Sequence, residues 1–244
     1  MLAAAKKLFL FRQQGDTKTV ILDDVGLEIG ERDFHCVMGP SGSGKTTLLY
    51  LLAGLDEPSA GSVELSEQDL SLLAESKRTL LRRKSVAFVF QYFHLLPNLT
   101  LAENIGLPLW IQGKSSGWES IAKDWAGRLG LGDRLDALPH ELSGGERQRT
   151  SIARALVGGQ PLILADEPTG NLSQKAGAEV MDLLRQAVDE EGRSVLLVTH
   201  NPRDAARADR VQFLLDGRLV KDSELNGPDL TVEQVHEALA QLHI

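Results

Sequence analysis

Apolar and polar residues follow two rhythms along this chain. Phe34 to Met38, Ser85 to Phe90, Leu162 to Ala165, Ser194 to Val198 and Val211 to Leu215 are short apolar or β-branched runs of strand length. Near-continuous apolar runs suit strands covered on both faces, so they predict a largely parallel α/β sheet. Between the last of them Val180, Leu183, Leu184, Ala187 and Val188 recur at helical spacing, predicting a helix that lays one apolar face on the sheet. From about Thr100 to Val157 the strand rhythm stops. Trp118 to Leu129 and Glu146 to Val157 read as helices between Gly- and Pro-bearing turns, a helical subdomain inserted into the sheet domain. The division is a core of residues 1–91 and 158–244 around a helical unit of about 92–157. A last helix follows Thr231, its N-cap, with Val232, Val235, Leu239 and Leu242 on one side.

Composition narrows the class. The 244 residues suffice for one large domain or one domain with an insertion. A formal charge of −8 argues against a surface built to hold nucleic acid, and no nucleic-acid partner is expected. The longest apolar stretches, such as Leu48 to Ala53, fall far short of the roughly 20 residues a membrane-crossing helix needs. Leu8 to Phe11, after Lys6 and Lys7, is too short for a signal peptide and reads as an opening strand. Cys36 is the only cysteine and sits in a predicted strand, so it reads as a buried thiol, consistent with the cytoplasm.

The chemistry concentrates at strand ends. Gly39-Pro40-Ser41-Gly42-Ser43-Gly44-Lys45-Thr46 matches the P-loop pattern between a strand and the predicted helix Lys45 to Ala53, with Thr47 next in line. Its glycines let backbone N–H groups turn onto phosphates, and the helix adds the positive end of its dipole. Lys45 would meet the β- and γ-phosphates, and the Thr46 hydroxyl would ligate Mg²⁺. Leu162 to Ala165 followed by Asp166 and Glu167 is an apolar strand ending in two carboxylates, as in a Walker B segment. Asp166 would hold the Mg²⁺ site, and Glu167 would position and deprotonate an attacking water. Without the P-loop, the pair would read as an acidic turn. His200 ends the strand from Ser194 and reaches the same edge, where it could contact the γ-phosphate or orient water, although a lone histidine there is more often structural. Gln91 follows the strand from Ser85, with an amide able to touch both Mg²⁺ and water.

Leu142-Ser143-Gly144-Gly145-Glu146-Arg147-Gln148 opens a helix with a hydroxyl and two glycines. Alone it is a plain N-cap or an anion-binding helix start. In the company of the other motifs it resembles the signature segment of the ABC ATPase family, whose motifs run in order here from Gly39 to His200. The resemblance implies a P-loop NTPase (RecA-like) core with a mostly parallel sheet, an antiparallel β region at the N-terminus and an inserted α-helical signature subdomain. It implies ATP and Mg²⁺ as cofactors and a head-to-tail homodimer, in which Ser143, Gly144, Gly145 and Glu146 of one subunit close over the ATP held by Lys45 of the other. It also implies a separately encoded integral membrane permease, which would hold the chain at the inner face of the cell membrane. Gln91 to Pro97, Ala102-Glu103-Asn104 and Thr169-Gly170-Asn171-Leu172 are most similar to the lipoprotein-release, macrolide-export and FtsE-like group.

In that family the permease docks beside the Gln loop, where Phe93, Leu95 and Leu96 either line a groove or belong to the subdomain core. Two positions depart from the pattern. Ser173 stands where the D-loop normally ends in Asp, removing a carboxylate expected to organise the dimer interface. Arg12 stands where an aromatic residue usually stacks on adenine, with Phe11 beside it, and either side chain can stack on a base. Other readings are a soluble nucleic-acid-linked ATPase, which would be expected to show a coiled-coil or zinc insertion or paired ATPase domains; a P-loop kinase, against which Glu167 and the signature segment argue; and a mechanical transmitter in the cell envelope.

Overall fold

The apolar runs pair as parallel strands because each has two faces to bury. The computed structural model describes residues 1–14, 17–114, 116–221, 223–227 and 230–243. Its strands are β1 (Ala3–Gln14), β2 (Thr17–Ile29), β3 (Phe34–Met38), β4 (Ala60–Leu65), β5 (Gln68–Asp69), β6 (Val86–Val89), β7 (Leu162–Asp166), β8 (Ser194–Thr199), β9 (Arg210–Leu215), β10 (Arg218–Leu219) and β11 (Leu225–Asn226). The helices are α1 (Lys45–Leu52), α2 (Glu75–Ser85), α3 (Leu101–Ile111), α4 (Trp118–Arg128), α5 (Gly144–Val157), α6 (Gln174–Asp189), α7 (Pro202–Ala205) and α8 (Val232–Gln241). The parallel strands lie in the order β9-β3-β8-β7-β6, with β10 and β11 antiparallel against β9. A second sheet, β2-β1-β4-β5, is antiparallel throughout.

Period-2 alternation sorts the parallel strands between two cores. Cys36, Ile163, Leu197 and Phe213 face one side, where they meet Ile152 of α5, Leu184 of α6 and Val235 of α8. Val37, Leu164, Leu196 and Leu214 face the other, where α1 is clamped between the two sheets. That position explains why α1 is apolar nearly all round: Leu48, Leu49, Leu51 and Leu52 are all fully buried. A third core joins Leu101, Ile105 and Leu109 of α3 to Ala122 and Ala126 of α4 and to Ala153 and Val157 of α5. Helix α5 therefore serves two cores, with Ile152 and Leu156 turned to the sheet and Ala153 and Val157 to the helical layer.

Several boundaries moved. Ser85, read as a strand residue, ends α2 and exchanges a 2.8 Å hydroxyl–hydroxyl hydrogen bond with Ser66, and the strand begins at Val86. The opening strand is longer than its apolar run and reaches Gln14. Helix α3 lies where no helix is predicted, since Gly106 and Pro108 interrupt its pattern. Its start is a capping box: Thr100 Oγ1 accepts from the Glu103 amide at 3.2 Å and the Glu103 carboxylate accepts from the Thr100 amide at 2.8 Å. Asn104, fully buried in its first turn, ties down the loop before it by accepting from the Leu96 amide and donating to the carbonyls of Leu96, Leu99 and Thr100.

Loss of that cap is measurable. Thr100→Ala is expected to lower stability by about 1 kcal/mol, seen as a lower urea midpoint at unchanged slope; an unaltered midpoint would show that α3 does not depend on its cap.

Candidate functional site

The register of the parallel ladder puts strand ends in one row. Met38 pairs with Thr199, Asp166 with Val198 and Val89 with Ala165, so the residues that follow, Gly39, His200, Glu167 and Gln91, leave the sheet at the same carboxyl edge. The loop after β3 runs close against β9: a Cβ on Gly39 would lie 2.2 Å from the Leu214 carbonyl, so no larger residue fits. Gly44 turns the chain into α1 with φ 104°, a conformation that favours glycine, and packs against Leu22 of the antiparallel sheet.

Inside the turn, the Lys45 ammonium donates to the carbonyls of Gly39 at 2.7 Å and Pro40 at 3.0 Å and lies 3.8 Å from the Glu167 carboxylate. The Thr46 hydroxyl donates to Asp166 at 3.0 Å. Pro40, Ser41 and Gly42 are exposed, Thr47 lies in the first turn of α1, and the buried Ser43 hydroxyl has no hydrogen-bond partner. That orphan donor, set among backbone amides at a helix start, fits a phosphate oxygen.

The two carboxylates differ in their surroundings. Burial pushes the Asp166 carboxyl up from its ordinary range, the Thr46 hydroxyl pulls it back, and the neighbouring Glu167 charge adds to the rise. Glu167 has φ 44°, in the left-handed region that a non-glycine residue adopts at a cost of about 1–3 kcal/mol. The twist turns its side chain back along β8, where it accepts from the Thr199 hydroxyl at 3.2 Å, from the His200 amide at 3.4 Å and lies 2.9 Å from His200 Nδ1. Burial lowers the Lys45 pKa while Glu167 and Asp166 raise it, so one cation lies beside two carboxylates at this edge.

The segment after Glu167 ties the edge together. The Pro168 carbonyl accepts from Gln148 of α5 at 2.7 Å, the Thr169 hydroxyl donates to the buried Asp204, and the Asn171 amide donates to the Gln91 carbonyl at 3.2 Å. Sequence reasoning missed Thr199 and Asp204 and gave Gln148 only as the last residue of the signature segment. Thr199 alone carries a signal, as the polar end of an apolar strand beside His200.

Ser143 to Glu146 stand apart from this cluster. Ser143 caps α5 in a second capping box, its Oγ accepting from the Glu146 amide at 3.3 Å while the Glu146 carboxylate accepts from the Ser143 amide at 2.8 Å. These bonds hold Glu146 below the usual carboxylate range. Among the described residues, none of the four makes a hydrogen bond or ion pair with the P-loop, Asp166, Glu167 or His200. Gly144 has nothing near a notional Cβ, and Ser143 is exposed, so this helix start faces outward.

A glycine loop set between a parallel strand and a buried helix, with a lysine folded into it and a hydroxyl–carboxylate pair beside it, defines the chain as a P-loop nucleoside triphosphatase. The ABC transporter family profile matches residues 22–170, and the chain belongs to that family. It is 43% identical over 206 residues to the lipoprotein-releasing system ATP-binding protein LolD of Shewanella oneidensis, covering 84% of this chain and 90% of that protein. It is 46% identical over 211 residues to the macrolide export ATP-binding/permease protein MacB of Nitrosomonas europaea, covering 86% of this chain but 32% of that protein. The structure matches the ATP-binding cassette MJ0796 in a dimeric post-hydrolysis state bound to ADP and Pi, with TM-score 0.85, 35% identity and coverage of 92% of this chain and 98% of that one. This chain is accordingly an ATPase cassette of the LolD/MacB type, built on the mixed α/β fold expected of it.

The raised Asp166 pKa has a definite sign. The native state holds that proton more tightly than the unfolded chain, so the contribution to stability is present below pH 3.8 and is lost as pH rises through the folded value. At pH 7 the ionised carboxylate weighs against folding, and Asp166→Asn is expected to raise the melting temperature of the nucleotide-free protein. A melting temperature equal to or below that of the unsubstituted protein at pH 7 would overturn this account.

Proposed function

We propose that two copies of the chain close head to tail around two ATP molecules, and that the cycle of closure and hydrolysis drives a separate integral membrane permease of the lipoprotein-release or macrolide-export kind. The observation that carries the reading is the separation within one chain: the phosphate loop and carboxylates lie at one edge, while the Ser143 helix start, suited to an anion, faces outward without touching them. A second copy related by two-fold symmetry would supply that start to each site. The dimeric state described for MJ0796 supports this. Among the described residues no helix is long and apolar enough to cross a membrane. In this reading the permease holds the chain at the inner face of the cell membrane, which the likeness to the ATP-binding protein of a lipoprotein-releasing system supports.

In this mechanism Lys45 exchanges two neutral carbonyls for charge-assisted bonds to the β- and γ-phosphates, and Ser43 and the loop amides complete the cradle. Thr46 and Asp166 offer neighbouring oxygens to a hard divalent cation, with Gln91 at the same edge. No three His, Cys, Asp or Glu converge among the described residues, so phosphate oxygens and water would fill the remaining positions. Mg²⁺ bound there supplies neutralising charge to the phosphate oxygens. Glu167, restrained by Thr199 and His200, is the base that takes a proton from the attacking water, and His200 holds the base in place.

For the adenine, strand alternation favours Arg12. Phe9 and Phe11 stack on one face of β1 with centroids 6.3 Å apart, and Lys18 sits 3.8 Å over the Phe11 ring. Arg12 shares the opposite face with the buried Leu8 and Leu10, and Leu10 pairs with the Leu22 that packs on Gly44. Asp56 holds the guanidinium, leaving its plane as a stacking surface. Ser173 keeps one job of the missing D-loop carboxylate: its Oγ accepts from the Ala176 amide and caps α6.

A groove of about 410 Å³ between β6, α3 and α5 is the proposed permease seat. Phe90 and His94 are what the Gln loop contributes to it, rather than Phe93, Leu95 or Leu96. Phe93 instead lies under the Arg147 guanidinium at 5.2 Å.

Glu167→Gln is expected to keep ATP binding, to slow hydrolysis about 100-fold or more and to accumulate an ATP-dependent dimer on size exclusion. Hydrolysis at the unsubstituted rate would remove Glu167 as the base. Arg12→Ala is expected to weaken ATP binding about tenfold, while Phe11→Ala leaves it within about twofold; the reverse order in a titration would assign the stacking to Phe11.

A further inference from the structure

Arg154 of α5 sits between the Gln loop and the groove. Its guanidinium donates to the carbonyls of His94 at 2.6 Å and Phe93 at 2.9 Å, with Ser151 Oγ at 3.5 Å. All three acceptors are neutral, and no carboxylate forms an ion pair with it among the described residues. Burial alone acts on its pKa, downward, with no acidic group opposing. A desolvated guanidinium held only by neutral acceptors is under-compensated, because a carboxylate makes bonds roughly twice as strong. Two of its three nitrogens bond the loop, and Nε has no acceptor among the described residues.

Its surroundings repeat the imbalance. The chain carries 34 Asp and Glu against 26 Lys and Arg, yet the described residues lining the groove include Arg82, Arg83 and Arg154 and no carboxylate. Arg82 is already paired, to Glu75 at 2.7 Å and to the Gly54 carbonyl at 2.6 Å. The rest of the groove is mainly apolar, with Leu55 and Ile111 about half exposed at 53% and 50%. Arg83 has no ion-pair partner among the described residues either, but it is exposed and stays hydrated, which leaves Arg154 as the one desolvated cation without a carboxylate. Apolar walls around such a cation are complementary to an amphipathic helix that buries a carboxylate within its apolar face.

Resting on the permease reading above, we propose that the groove takes a helix of the membrane partner carrying one Asp or Glu on its apolar face, and that this carboxylate pairs with Arg154. The contact would then share a guanidinium with the loop that follows Gln91, so that the partner's position and that of the Gln loop bear on one side chain. An anionic lipid headgroup offers similar charge without a helix's apolar face, and it serves as the opposing outcome.

Disulfide tethering tests the pairing. Ile111→Cys places a thiol at the groove mouth, while Cys36 is fully buried and stays unreactive. Capped amphipathic peptides of about 15 residues, roughly four helical turns, each carry a linking cysteine and one Glu walked along the apolar face. Each is supplied as its mixed disulfide with 2-mercaptoethanol and competes with its Gln twin for the protein thiol by disulfide exchange, which releases 2-mercaptoethanol, and mass spectrometry reads the ratio. At one position the Glu peptide is expected to win about tenfold, falling to about onefold with Arg154→Gln and remaining above about twofold with Arg154→Lys. No position favouring Glu by more than about twofold, or a preference that survives Arg154→Gln, overturns the pairing. Scrambled peptides retained as well as amphipathic ones would sink the helix-docking reading itself. Sedimentation with phosphatidylglycerol vesicles that is lost in Arg154→Gln, without peptide preference, would reassign the groove to lipid. Thermal melts of each variant establish that it is folded.

Discussion

The hydrogen-bond ladder that pairs Met38 with Thr199 and Asp166 with Val198 is the constraint on which the site depends. Parallel strands all end on one side, so a ladder in this register delivers a loop, two carboxylates and a histidine to the same edge without any of them being adjacent in sequence. A one-residue slip of β8 would turn Val198 from one core into the other and move Thr199 and His200 away from Glu167. The slip is opposed by the close packing of the two cores, each of which fits the side chains that face it. The geometry of the chemistry is thus inherited from the core rather than from contacts among the reacting groups.

Those groups are in tension. Lys45 and Asp166 are buried beside the partly exposed Glu167, and burial acts against the charged forms of Lys45 and Asp166. Glu167 also holds a left-handed backbone. Such an arrangement persists because the strands on both sides over-determine it. It suits a site that binds a highly charged ligand: in the proposed mechanism triphosphate oxygens would reward the lysine and the loop amides, and a cation would reward the carboxylates. The reward is conditional on the ligand, which is the energetic requirement for a nucleotide to shift a conformational equilibrium rather than merely occupy a pocket.

Much of the sheet and the site was legible in the sequence, for physical reasons that also explain the misses. Doubly buried strands leave continuous apolar runs, and phosphate binding needs glycines, a lysine and a hydroxyl at fixed spacing, so Gly39 to Thr46 and Leu162 to Glu167 were readable. Helix α3 was not, because Gly106 and Pro108 break its propensity while its capping box and the buried Asn104 hold it in place. Helix α2 was missed because its surface is basic and only Ser85 of it is buried. Counting from the motif puts Arg12 at the position of the usual adenine-stacking residue but leaves the neighbouring Phe11 as an alternative, since the choice of side chain depends on which face of β1 each occupies. The Gln148–Pro168 and Asn171–Gln91 bonds join elements far apart in sequence, and no local pattern encodes them.

Helix α5 brings these strands of argument together. Its first turn presents Ser143 outward, and its middle turns carry Gln148, bonded to the segment after Glu167. Its last turns carry Arg154, bonded to the segment after Gln91. Because the same helix packs into both the sheet core and the helical layer, its axis can shift only if both cores move with it or one of them loosens. Hydrogen bonds from one rigid rod therefore reach both loops that flank the nucleotide edge. In the proposed mechanism a displacement of the helical layer by a partner in the groove and a displacement of the signature start by a second copy would act on the same element, so α5 is where the two kinds of partner would sense each other.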